Sequence, residues 1–163
     1  MAMMADLKGR EALMRRLNKL APNVEKYAAD AKYEAAQELA EAIRANAPRG
    51  ATLEYAESID GDFLKNRPHQ ERVGIQDTKD PSAAGIFAEF VWRFLEFGTA
   101  PHNTAKGGGT VRGKKQAAAG QGQMHPGTTA QPHIFPTYRA QKPKIRKKIL
   151  AAVNKAVREA MGK

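Results

Sequence analysis

The feature that most constrains the fold is the run from Val24 to Asn46. Val24, Tyr27, Ala28, Ala31, Ala35, Leu39, Ala42 and Ile43 recur at the spacing of one helical face, while Glu34, Glu38, Glu41 and Arg44 occupy the remainder. Most of that face is alanine. A methyl side chain buries little area but lets a second backbone come close, so the run predicts a long helix laid flat across a sheet or a neighbouring subunit. Pro48 and Gly50 punctuate its end.

The flanking segments supply what this helix could cover. Asp6 to Leu20 reads as a shorter helix, with Leu7, Leu13, Met14, Leu17 and Leu20 on one face, Asp6 as cap and Pro22 as stop. Thr52 to Gln76 reads as two strands. Ser58-Ile59-Asp60 leads into a turn at Gly61-Asp62, and Arg72-Val73-Gly74-Ile75 alternates in the manner of a half-buried strand. Asp77 to Ala84 is a loop. Gly85 to Phe90 fits a strand or a helix, since periodicity does not separate such short apolar runs; the strand is favoured, passing into a helical turn near Trp92 to Leu95. Pro143 to Met161 reads as a closing helix, with Ile145, Ile149, Leu150, Val153, Val157 and Ala160 inward and Pro143 in its first turn.

Val91 to His102, reading V-W-R-F-L-E-F-G-T-A-P-H, is the densest aromatic stretch. It gathers the only tryptophan and two of the six phenylalanines around one carboxylate, Glu96. As a general acid or base Glu96 would need a partner and a cleft. The structural reading is stronger: a carboxylate paired with Arg93 one turn earlier, or capping the amides near Gly98-Thr99. Trp92, Phe94 and Phe97 are expected to anchor the end of the sheet, and Gly98 to let the chain turn away.

After Pro101 the composition changes. Gly107, Gly108, Gly109, Gly113, Gly120, Gly122 and Gly127 are expected to break any regular element up to Pro136, giving a flexible basic loop. Residues 1–100 carry 14 Lys and Arg against 16 Asp and Glu, whereas 101–163 carry 13 against the single acid Glu159. Such a half attracts polyanions through counterion release, so the runner-up function is a stand-alone nucleic-acid-binding protein using 101–163.

Several chemistries find no support. The glycine run lacks the G-x-x-x-x-G-K-[ST] spacing of a phosphate-binding loop, and no G-x-S-x-G elbow is present. Cysteine is absent, which removes disulfides and thiolate metal sites. His102, His125 and His133 match no ligand spacing, and no carboxylate lies between them. No cofactor and no enzymatic activity are expected. Met1 to Lys8 lacks the apolar run of a signal peptide, and no window approaches about 18 consecutive apolar residues. A soluble protein is expected, with no membrane partner.

The order of these segments carries a resemblance. Ala47-Pro48 follows the long helix, then come Leu53 and Ser58-Ile59, Val73-Gly74-Ile75, W-R-F-L-E-F-G-T, H-P-G-T at 125–128, Q-P-H-I-F-P-T-Y at 131–138 and a closing helix. Over roughly residues 7–160 the chain resembles the tail-component family of tailed bacteriophages typified by the gene 10 product of phage Hong Kong 97. It departs from the family pattern at R-G-A-T-L (49–53), and at Pro132 to Thr137, which replaces the usual P-F-L-x-P-A.

The resemblance implies an α+β subunit: a small antiparallel sheet packed against a long Ala-rich helix, with N- and C-terminal helices and a long Gly-rich basic loop. One domain, 1–163, is expected. It divides into an N-terminal helix (1–22), a helix-plus-sheet core (23–100), the loop (101–136) and a basic helix (137–163). The resemblance further implies a hexameric ring at the neck of a long-tailed virion, assembled in the host cytoplasm. There it would meet a head-closure or connector protein, a tail terminator or tail tube, and the tape measure. The residues expected to carry folding and assembly are Trp92, Phe94, Glu96, Phe97, Gly98, Thr99, Pro132, Phe135 and Pro136. Those expected to face DNA in the lumen are Arg112, Lys114, Lys115, Lys144, Arg146, Lys147 and Lys148.

Overall fold

The computed structural model describes residues 15, 23–50, 53–74, 78–106 and 110–162. The helix expected over Asp6 to Leu20 lies outside the described residues, Arg15 excepted. Helix α1 spans Val24–Asn46, as its stripe predicts, and buries Ala31, Ala35, Ala36, Leu39, Ala40 and Ile43. Ala47, already extended, ends it ahead of Pro48.

The alanine face does allow a close approach. Strand β1, Asp60–Phe63, pairs antiparallel with β2, Ala84–Phe87, in the register Asp60 to Phe87 and Phe63 to Ala84. Gly61 sits so tightly under α1 that a Cβ there would collide with the backbone of Ala36. Gly61-Asp62 is therefore strand and not the expected turn. Its glycine serves interelement packing, which local turn statistics do not register. The residues before it also differ from expectation: Glu54–Ser58 form a short helix, α2, entered through Leu53 at a φ of 57°.

The chain turns after β1 at a 3-10 element, Leu64–Asn66, where the Asp62 carboxylate accepts from the Phe63 N–H (2.7 Å), Asn66 Nδ2 (2.8 Å) and Arg67 Nε (3.0 Å). Of the strand expected at 72–75, Arg72 bridges Phe87 and the Val73 N–H donates to the Ile86 carbonyl at 3.0 Å. Ile75 lies outside the described residues.

Helix α3, Trp92–Phe97, follows β2 as expected. The closing helix α5 runs Ile134–Ala160, beginning well before Pro143, which sits in its interior. It packs along α1 rather than on the sheet. The two run antiparallel: Tyr27 Oη donates to Glu159 at one end (2.7 Å), and Asn46 Nδ2 to Thr137 Oγ1 at the other (3.2 Å). Between them Lys148 bridges Glu34 (2.8 Å) and Glu38 (2.7 Å), and Lys144 reaches Glu38 at 3.2 Å. Leu39, Ala40, Ile43, Ile59, Ile86, Trp92 and Ile134 close one core across α1, the sheet, α3 and the start of α5.

The glycine-rich segment is not without structure. His102–Asn103 (β3) pairs with Met124–His125 (β4), and between them Val111–Ala118 forms helix α4. Thr110 caps α4, its hydroxyl accepting from the Gly113 N–H at 3.2 Å. Gly113 is thus accommodated inside a helix, against expectation, because the cap and the alanines that follow offset its entropic cost.

Candidate assembly surface

Residues 96 and 133–136 form the joint on which the molecule turns. The Glu96 carboxylate is 3 % exposed. Its Oε2 accepts from the backbone N–H of His133 (2.8 Å) and Ile134 (2.9 Å), and its Oε1 from that of Phe135 (3.0 Å). The first turn of a helix leaves four N–H groups without intrahelical partners. In α5 these belong to residues 133–136, and the fourth residue is Pro136, which has no N–H. Glu96 therefore satisfies every orphan donor at this terminus, and its negative charge lies at the positive end of the helix dipole. Gln131 N–H adds a bond to the Leu95 carbonyl at 2.7 Å.

The Glu96 partners are not the ones expected. Arg93 pairs with Glu71 (2.6 Å), not with Glu96. No local amide near Gly98 is capped either. The ligands come from a helix start nearly forty residues later, which a reading confined to adjacent turns could not reach.

His133 is buried beside this carboxylate, its Nδ1 3.4 Å from Glu96 Oε2. Its Nδ1 contacts the Gln131 carbonyl oxygen at 2.7 Å and its Nε2 the Tyr55 hydroxyl at 2.6 Å. A carbonyl only accepts, so Nδ1 carries the proton and Nε2 accepts from Tyr55. Burial, together with the negative charge of Glu96, raises the Tyr55 pKa above its ordinary value. The arrangement couples α2, α3 and α5 through neutral and charged hydrogen bonds, and Tyr55 went unmarked in the sequence because nothing local connects it with 96 or 133.

The aromatic residues divide. Trp92 is 5 % exposed and meets the Phe135 ring at 6.3 Å. Phe94 and Phe97 are not core anchors: both are exposed, because α3 presents them on the side facing away from the body. Phe97 still touches Trp92 and Phe135 at its inner edge (6.2 and 5.9 Å), and Phe94 pairs edge-on with exposed Phe90 at 6.2 Å. Pro132 and Pro136 are also exposed.

Gly98 and Thr99 begin a projecting arm. Gly98 has φ 73°, and any side chain there would meet the backbone of Thr128 and Ala130. Thr99 and Thr128 then close the base of the arm: Thr99 N–H to Thr128 O is 3.0 Å, Thr128 N–H to Thr99 O 3.1 Å, and their hydroxyls lie 3.0 Å apart. His102 and His125 stack across β3 and β4 with ring centroids 5.1 Å apart, far from the role His133 plays. Among the described residues no group of His, Asp or Glu is arranged to hold a metal.

The cations are of two kinds. Lys144 and Lys148 are committed to Glu38 and Glu34 on α1. Arg112, Lys114 and Lys115 on α4, and Arg146 and Lys147 on α5, are exposed. A groove of ≈610 Å³ runs between α1, the sheet and α5, lined by Ala35, Leu39, Val73, Ile86, Phe135 and Tyr138 among others. Its lining is mostly apolar, joined by Arg72, Thr78 and the Lys32–Asp80 ion pair.

Residues 11–98 match the family model described as "Bacteriophage HK97-gp10, putative tail-component". The chain belongs to this bacteriophage tail-component family. The match takes in α1, the sheet and α3, and stops at Gly98, where the arm departs. The tail-component segment thus ends just past Glu96, the residue that secures the rest of the chain to it. No curated protein and no solved structure matches the chain significantly. Among its described helices, none is long and apolar enough to cross a membrane.

Proposed function

We propose that this tail-component protein is a structural subunit of a long-tailed phage or prophage virion. In this reading it completes the tail and joins it to the head connector as one member of a hexameric neck ring. One face meets the head-closure or connector protein, and the other the tail terminator or tail tube, with the tape measure beyond. The family match over 11–98 is the observation that carries the reading. The geometry supports it: a helix-and-sheet body locked by Glu96, exposed phenylalanines on α3, and an arm standing off a fixed base. The protein acts by fit and not by catalysis, and it joins the virion from the host cytoplasm during assembly.

Removing the gene from its phage and imaging the lysate tests this. Unjoined heads and tails, restored to full particles by added protein, are the expected result. Normally joined, infectious particles without the protein would overturn it.

A second reading has its own observation. Arg112, Lys114, Lys115, Arg146 and Lys147 have no acidic partner among the described residues, and these groups would interact with DNA passing through a lumen or bound by the free protein. Free-protein binding predicts an affinity for duplex DNA that falls steeply as salt rises. An affinity that ignores salt would remove it.

A further inference from the structure

Phe90 and Phe94 form an aromatic ridge on the outside of the molecule, 66 % and 48 % exposed and packed edge to face. The ridge is rimmed by carboxylates. Glu89 adjoins Phe90, and its N–H donates to Ser58 Oγ (3.2 Å), which brings it beside Glu57 at the end of α2. Both side chains are exposed, and neither has a cationic partner among the described residues. Apolar surface with an acidic rim calls for a partner that is apolar with a cationic rim.

The arm has that chemistry. Val111 and Met124 are 74 % and 67 % exposed. Lys114 and Lys115 follow Val111 about one turn along α4, without acidic partners among the described residues. Among the described residues helix α4 makes no extensive packing with any other element. The Thr99–Thr128 closure fixes the base of the arm, and its apolar residues are held in solvent rather than over the chain's own phenylalanines.

We propose that the arm of one copy docks on the aromatic ridge of a second copy. Val111 and Met124 cover Phe90 and Phe94, while Lys114 and Lys115 meet Glu57 and Glu89. Thioether and cation contacts to aromatic faces add to the apolar burial. The contact is heterologous: each copy donates an arm and offers a ridge, so successive copies close into a ring or continue as a filament. The proposal deepens the subunit reading above and rests on it for its biological setting, while the contact itself is a property of the purified chain.

A charge-swap cycle on full-length protein tests it, read by sedimentation velocity with circular dichroism as the check on folding. Wild-type protein self-associates, and more weakly as salt rises. Lys114→Glu with Lys115→Glu weakens association by about tenfold or more, as does Glu57→Lys with Glu89→Lys. The four changes together restore it. Because the chain has no cysteine, Met124→Cys and Phe90→Cys proteins mixed and oxidised should give a disulfide-linked dimer. A wild type that stays monomeric at high concentration overturns the proposal. So does an arm reversal that leaves association unchanged, or a folded four-fold variant that does not recover. Particle content separates this from the virion reading: monomeric protein present in tails sinks the arm contact alone, and self-associating protein absent from tails sinks the virion role alone.

Discussion

The Glu96 carboxylate and the His133 backbone N–H, 2.8 Å apart, tie the end of the tail-component segment to the start of the closing helix. One buried side chain thereby sets where α5 begins and in which direction it leaves. Because α5 then lies along α1, the same bond fixes the two long helices antiparallel beside one another. The arm at 99–128 is an excursion between the two ends of this joint, so its length can vary without disturbing them.

Replacing Glu96 should therefore be far costlier than replacing an average buried polar residue. Glu96→Ala leaves two buried N–H groups and one partly buried one without acceptors, at about 1–3 kcal/mol for a buried group, and a loss of at least about 3 kcal/mol is expected. Glu96→Gln retains one acceptor oxygen but turns an amide NH2 toward backbone donors, and is expected to cost about 2 kcal/mol. Urea unfolding by circular dichroism measures both. Equal stability of the three proteins would show that the cap does not hold α5.

Gly61 offers a second test, of the sheet beneath α1. A methyl group there meets the Ala36 backbone, which cannot rotate away as a side chain could. Gly61→Ala is expected to cost about 2–3 kcal/mol by overpacking, whereas Gly50→Ala, with open space around it, should change little. Thermal unfolding of the pair distinguishes a real close approach from a loose one.

How much of this was readable beforehand depends on how far each interaction reaches along the chain. The α1 boundaries followed from a periodic stripe, which is a local property. The β2-to-α3 passage was the favoured reading of a short apolar run that periodicity leaves open between strand and helix. Gly61 was misread because a glycine wanted by a packing helix looks the same in sequence as a glycine wanted by a turn. The start of α5 was misplaced because Pro143 is an ordinary helix-start signal, while the actual start depends on Glu96, remote in sequence. Thr110 ahead of Val111–Ala118 was a legible cap, hidden by the weight given to the surrounding glycines. Exposure of Phe94 and Phe97 could not be foreseen from composition, since an aromatic destined for a partner has the same chemistry as one destined for the core.

Excising the arm should leave the body standing. Thr99 and Thr128 already close its base with paired backbone bonds, so joining residues 103 and 124 through a short turn removes α4 without opening the core. The shortened protein is expected to unfold within about 0.5 kcal/mol of wild type, the scale of surface changes away from packed features. A collapse in stability would mean that the arm is part of the folding unit.

Tyr55 gives the last prediction, through pH. Its hydroxyl donates to buried His133 Nε2, so Tyr55→Phe leaves that acceptor empty and should cost about 1–2 kcal/mol at neutral pH. Burial, then the negative charge of Glu96, raises the Tyr55 pKa in the folded protein. The unfolded chain releases its tyrosine proton near pH about 10, while the folded chain retains it. Below that pH the stabilisation is complete; above it the unfolded state gains by ionising and stability falls. Tyr55→Phe has no such proton, so the gap between the two proteins should narrow as pH rises from about 9 to about 11. Denaturant titrations across that range read the gap directly, with the remaining tyrosines common to both chains and cancelling. Two curves that stay parallel would show that the hydroxyl is not buried beside the Glu96 charge in the folded protein.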